Sequence, residues 1–183
     1  MEAINGGPKR EIKKGETRRH IISILVNNEF GVLARIATLI AGKGYNIESL
    51  SVGETSEANL SRITIEVKGD DIVIDQMIKQ LRRLIDTVKV RDLTDMPRVE
   101  RELMLIKLHA PSHKERDEIL RIAQIFRGKV VDISQDSIMI ELTGDSEKIK
   151  AFLNLVRPFG IKEMATTGKI TLKRESVLEE IQD

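Results

Sequence analysis

The chain has no cysteine and no tryptophan, and its aromatic content is 3%. Without thiols it forms neither disulfides nor iron–sulfur clusters and offers no thiolate nucleophile, a composition that suits a reducing cytoplasm. One Tyr and four Phe leave few platforms on which bases could stack. Thirty Lys and Arg against 29 Asp and Glu leave a net charge of +1, so no global field draws the chain to nucleic acid or an anionic membrane. No stretch approaches the roughly 18 apolar residues of a membrane-spanning helix. Residues 1–19 carry charges where a secretory signal would need an apolar core. That mildly basic arm is read as a solvated tail, and a cytoplasmic location is expected.

What is present is a repeat. Ile63-Thr-Ile-Glu-Val-Lys-Gly-Asp70 and Ile138-Met-Ile-Glu-Leu-Thr-Gly-Asp145 lie 75 positions apart. Each alternates apolar and polar residues, stops at Gly-Asp and runs into an amphipathic helix. Two related α+β modules in tandem are implied. A module of about 75 residues buries only about 60% of its unfolded surface, so an oligomer is expected.

The order of elements follows from periodicity. His20–Val26 reads as a strand with Ile22, Ile24 and Val26 on one face, followed by a turn at residues 27–31. Val32, Leu33, Ile36, Ala37, Leu39 and Ile40 recur at helical spacing, with Arg35 and Lys43 on the far side, and Gly42-Lys43-Gly44 ends the helix. Tyr45–Glu54 and Leu60–Lys68 form a hairpin through Thr55–Asn59. Asp70 or Asp71 caps a helix with the stripe Ile74, Met77, Ile78, Leu81, Leu84 and Ile85, and Val88 and Val90 mark a last strand. The order βαββαβ is that of the ferredoxin-like unit. Met96-Pro97 marks a boundary. Beyond it the order repeats: a strand over Glu102–His109, a capping box Ser112-His-Lys-Glu115 and a helix closed at Gly128. A hairpin of Lys129–Ser134 with Ile138–Thr143, a helix stopped before Pro158 and a final strand Ile161–Leu172 complete it. The fold class is therefore α+β, two tandem ferredoxin-like modules over residues 20–95 and 98–173. Residues 174–183 form a tail, and Glu175–Asp183 is read as a short helix.

Only the first module carries a loop suited to a small anion. Asn27-Asn28-Glu29-Phe30-Gly31 leaves a strand and opens a helix, whose first N–H groups and positive dipole end suit a carboxylate or phosphate. Gly31 lets a ligand approach the backbone, and the Asn28 amide both donates and accepts, as a zwitterionic amino acid requires. On these residues alone the plain helix cap is the preferred reading of Asn28, and turn chemistry after the helix that of Asn46.

Asn28–Ile36, followed by Gly44-Tyr45-Asn46-Ile47-Glu48-Ser49-Leu50 and Leu60–Ile65, resembles the ACT domain of the regulatory (small) subunit of acetohydroxyacid synthase, also called acetolactate synthase. Val99–Lys107 and Ile125–Ile133 extend the resemblance into the second half, so that it spans about residues 19 to 173. The resemblance implies regulation and no catalysis by this chain. The implied partner is a catalytic subunit, carrying thiamine diphosphate, Mg and FAD, that condenses pyruvate toward branched-chain amino acids; no cofactor is expected here. It also implies a homodimer through the ACT domain and feedback inhibition by valine. The implied effector-binding residues are Asn28, Glu29, Phe30, Gly31, Val32, Leu33, Asn46 and Ile47, with Asn46 approaching the loop of the other protomer. Phe30 departs from the small residue or Pro common before the loop glycine, and a ring there could close the pocket. One methylene in an apolar pocket is worth only about 1–3 kcal/mol, which leaves valine, isoleucine and leucine open.

The same residues admit other readings. A stand-alone amino-acid sensor for another enzyme shares every feature of the first module. An acylphosphatase would need an Arg in the anion loop, and Arg35 is expected on the polar helix face. RNA recognition would need exposed aromatics on the central strands, which Ile63–Val67 and Ile138–Leu142 lack. His20, His109 and His113 do not make a metal set; capping and surface roles are expected for them. Lys79–Arg83 and Glu100–Glu102 are solvated faces or docking surfaces for the catalytic subunit.

Overall fold

The computed structural model describes residues 17–42 and 44–175. The first module runs β1 (Thr17–Asn27), α1 (Val32–Ala41), β2 (Ile47–Glu54), β3 (Leu60–Asp70), α2 (Asp71–Leu81) and β4 (Thr87–Asp92). The second runs β5 (Arg98–His109), α3 (His113–Ile125), β6 (Lys129–Ile133), β7 (Ser137–Gly144), α4 (Ser146–Val156), β8 (Ile161–Thr166) and β9 (Ile170–Lys173). Each module is an antiparallel sheet, ordered β2-β3-β1-β4 and β6-β7-β5-β8, with β9 added to the outer end of β5.

Alternation along the strands decides which face each sheet buries. Ile22, Ile24, Ile63 and Ile65 meet Ile36 and Ile40 of α1 and Ile74 and Met77 of α2 in the first core. Met104, Ile106, Ile140 and Leu142 meet Ile119, Ala123, Ile149 and Phe152 in the second, where Phe126 and Phe152 pack edge to face at 5.4 Å. Full burial of one such aliphatic side chain is worth about 1.5–3 kcal/mol, so these two clusters carry the fold. The repeated Gly-Asp ends as expected: Asp70 accepts from the Ile72 N–H and Asp145 from the Lys148 N–H, both at 2.8 Å.

Several boundaries differ from expectation. The expected arm contributes Thr17–Arg19 to β1, and residues 1–16 lie outside the described residues, as does the expected tail helix beyond Glu175. Helix α2 stops at Leu81, so Ile85 falls beyond it and is almost wholly exposed. After α1, Gly42 stays right-handed and Gly44 takes the left-handed turn, at φ +75°. After α3 it is Arg127, and not Gly128, that adopts positive φ. His20 is fully buried, its Nε2 3.2 Å from the Gly69 carbonyl, which replaces the surface role expected for it.

The largest correction concerns the last strand. Ile161–Leu172 is broken at Thr167-Gly168-Lys169, because Gly168 turns the chain at φ +75°. That turn presses on the first module. The Lys169 N–H donates to Ser49 Oγ at 3.0 Å, and its Nζ reaches Glu66 Oε1 at 2.8 Å, both side chains being almost buried. The linker is also fixed: the Leu93 N–H donates to the Ile21 carbonyl, and Arg98 Nη1 donates to the carbonyls of Leu93 and Thr94 at 3.0 and 2.7 Å. The two modules are thus held together by a buried ion pair and a tied linker.

Candidate functional site

Strand β1 delivers the chain into the loop, where the Asn27 N–H donates to the Asp86 carbonyl and the Asn28 N–H to the Asn59 carbonyl. Gly31 then turns the backbone at φ +81° and serves as the N-cap of α1. Of the four α-helices among the described residues, three open under a side-chain cap, from Asp70, Ser112 and Asp145. Helix α1 has none. Among the described residues, the N–H groups of Leu33 and Ala34 have no partner, so this helix keeps the donors and positive dipole end available. The plain-cap reading of Asn28 does not hold, since its Nδ2 donates to Glu54 Oε1 at 3.1 Å instead.

Arg35 also differs from expectation. Its guanidinium folds back to the loop, with Nη1 3.2 Å from where a Gly31 Cβ would stand. Nε and Nη2 bond Asp86 Oδ2 at 2.8 and 2.7 Å, so the cation is balanced by a mostly buried carboxylate while Nη1 stays beside the helix opening. The pair was missed because the partners lie 51 positions apart with nothing periodic to join them.

The expected effector residues fall into two groups. Asn28, Glu29, Phe30, Gly31, Val32 and Leu33 share the loop and first helical turn. Val32 is in the core and offers only its backbone. Phe30 is fully exposed, so its ring closes no pocket in the single chain. Asn46 is exposed just before β2, and Ile47 begins that strand, half-buried against the core. Because Asn28 bonds Glu54 at the far end of the eight-residue β2, about 25 Å of strand separates Asn46 from the loop of its own chain. One chain does not unite the two groups.

No group of three or more His, Asp or Glu among the described residues could hold a metal ion. No helix of the described residues is long and apolar enough to cross a membrane.

A family model described as the small subunit of acetolactate synthase matches residues 101–175, and one for the AHAS small subunit-like ACT domain matches residues 22–89. The acetolactate synthase small subunit of Aquifex aeolicus is 67% identical over 172 residues, covering 94% of this chain and 90% of that protein. The chain belongs to the acetolactate synthase small-subunit family. A probable small subunit from Methanothermobacter thermautotrophicus is 52% identical over 161 residues, or 88% of this chain and 96% of that one. The crystal structure of the small subunit from Thermotoga maritima matches with a TM-score of 0.78 at 42% identity, over 87% of this chain and 99% of that chain. The acetolactate synthase small subunit is a regulatory, ACT-bearing chain, and the α+β class and tandem modules agree with that membership.

Proposed function

We propose that this chain binds the catalytic subunit of acetolactate synthase, raises its activity, and makes it subject to feedback inhibition by a branched-chain amino acid, valine first. The observation that carries this reading is the opening of α1, among the described residues the one α-helix left without a side-chain cap. An effector carboxylate would accept from the Leu33 and Ala34 N–H groups, and its ammonium would meet side-chain amide oxygens. Asn28 supplies one amide. The other comes from Asn46 of a second copy. β2 is an edge strand, and its apolar Leu50 and Val52, with Leu33 of α1, are exposed. Antiparallel pairing of two β2 edges would set the Asn46 end of one copy beside the Glu54 and Asn28 end of the other, closing the roughly 25 Å gap.

Valine would then stabilise one arrangement of the pair, which the tied linker and the Lys169–Glu66 contact pass to the second module. Such coupling is typically about 1–3 kcal/mol, a 5- to 150-fold effect on affinity. Thiamine diphosphate, Mg and FAD belong to the catalytic partner in this reading, and the assembly works in the cytoplasm. Mixing the chain with the catalytic subunit from the same source tests it: turnover should rise, and valine should lower it again. No rise on mixing would point to a sensor serving another enzyme.

A further inference from the structure

Three cations stand together on the face of the first sheet that α1 and α2 leave uncovered. In the β1 register, Leu25 lies between Arg62 of β3 and Lys89 of β4, and Ser23 lies beside Arg91. Alternation places Lys89 and Arg91 on the same face about 7 Å apart, and the intervening β1 sets Arg62 about 10 Å away across the sheet. With Ser23 and Leu25 these residues line a cavity of about 190 Å³. Arg62 Nη1 donates to the Ser23 hydroxyl at 3.2 Å. Among the described residues, none of the three has a carboxylate within ion-pair distance.

This differs from the other cations nearby. Arg18, Arg19, Arg35 and Lys169 each meet a carboxylate at 2.7–2.9 Å. The chain as a whole is almost neutral, so the cluster is not a by-product of composition. The adjoining part of the same face is already covered, with Ile21, Thr64 and Glu66 buried and Glu66 held by Lys169. The cluster therefore occupies the one end left open, next to the contact that joins the modules.

We infer that Arg62, Lys89 and Arg91 form the docking site for an acidic segment of the catalytic subunit, an inference that rests on the function proposed above. Charges spread over about 10 Å of sheet suit several carboxylates on one segment better than one small anion. Leu25 at the centre gives such a segment an apolar contact as well. Docking there would place the partner against the Lys169–Glu66 junction, where a change in module arrangement is felt directly. Neither Lys79–Arg83 nor Glu100–Glu102, the surfaces marked from sequence, contributes to this cluster.

The test titrates the full chain and its Lys89→Glu/Arg91→Glu variant against the holo catalytic subunit from the same source, at about 0.05 M and about 0.5 M salt. The wild-type chain should need about tenfold more protein for half-maximal activation at the higher salt, and the variant over about 100-fold more at the lower. Valine binding and the melting temperature of the variant should match wild type. If the variant loses its fold, Lys89→Gln/Arg91→Gln decides, and an unchanged half-maximal concentration there overturns the inference. So does a charge-reversed variant that activates like wild type. Inorganic phosphate that binds wild type but not the variant, while activation is unchanged, assigns the cluster to a small anion and overturns it too. A wild-type chain that fails to activate at either salt overturns the functional reading, and this inference with it.

Discussion

Arg35 grips Asp86 with two nitrogens, at 2.8 and 2.7 Å, while the Asp86 carbonyl accepts from the Asn27 N–H at 2.9 Å. This pair ties the end of β1, the loop and the first turns of α1 to the segment between α2 and β4. Asp86 is mostly buried and Arg35 half exposed, so the lower range of charge-assisted bonds applies. Asp86→Ala should lower stability by about 1–2 kcal/mol in urea denaturation. It should also weaken valine binding, because the loop loses its anchor. Equal valine affinity in this variant and wild type would separate the anchor from the site.

Gly31 is held at φ +81°, and a Cβ there would come within 3.2 Å of Arg35 Nη1. Gly31→Ala should therefore cost about 1–3 kcal/mol through backbone strain alone. It should also displace the guanidinium from the helix opening and reduce valine affinity. A variant as stable as wild type by thermal melting would show that the loop adopts another conformation.

Lys169 and Glu66 join the two modules through a pair that retains 10% and 7% side-chain exposure. Removing Glu66 leaves the Lys169 ammonium buried without its carboxylate, so Glu66→Gln should destabilise by about 3 kcal/mol, whereas Lys169→Met should cost less, because Arg19 Nε still lies 3.9 Å from Glu66 Oε1. The double variant should recover part of that loss, which a double-mutant cycle measures. Gly168→Ala should act on the same junction, since its Cβ would lie 2.8 Å from the Leu50 carbonyl oxygen. Strictly additive single effects would mean that the pair does not hold the modules together.

In the second module the Ser112 hydroxyl and N–H bond the Glu115 carboxylate and pull its pKa below the usual value, and Lys162 does the same for Asp136. Each group is more acidic folded than unfolded. Each thus contributes stability above its unfolded pKa, and that contribution is lost as pH falls through the folded value. Thermal midpoints should decline on acidification, and the Ser112→Ala/Lys162→Met variant should show a shallower decline. An identical acid slope in the variant would contradict this assignment.

Much of the fold was legible because it is periodic. Ile36 and Ile40 at helical spacing, Ile63 and Ile65 at strand spacing, and the two Gly-Asp ends all lie where the pattern puts them. The break at Gly168 was hidden because Ile161–Thr166 and Ile170–Lys173 both alternate, and the turn between them is only three residues. Ile85 continued an apolar stripe past the point where the helix stops, since spacing carries no information on where packing ends. At the site, Gly31 was readable from its need for an open backbone. Arg35, Asp86, Lys169 and Glu66 were not, because ion pairs between distant positions leave no local signature.

In the function proposed above, valine binds at the opening of α1, completed by Asn46 of a second copy. Isothermal titration of valine into wild type and into Asn28→Ala, Gly31→Asp and Asn46→His tests it most directly. Wild type should give a saturable heat that is lost in all three variants while activation of the catalytic subunit persists. Normal valine binding by all three would place the effector elsewhere on the protein.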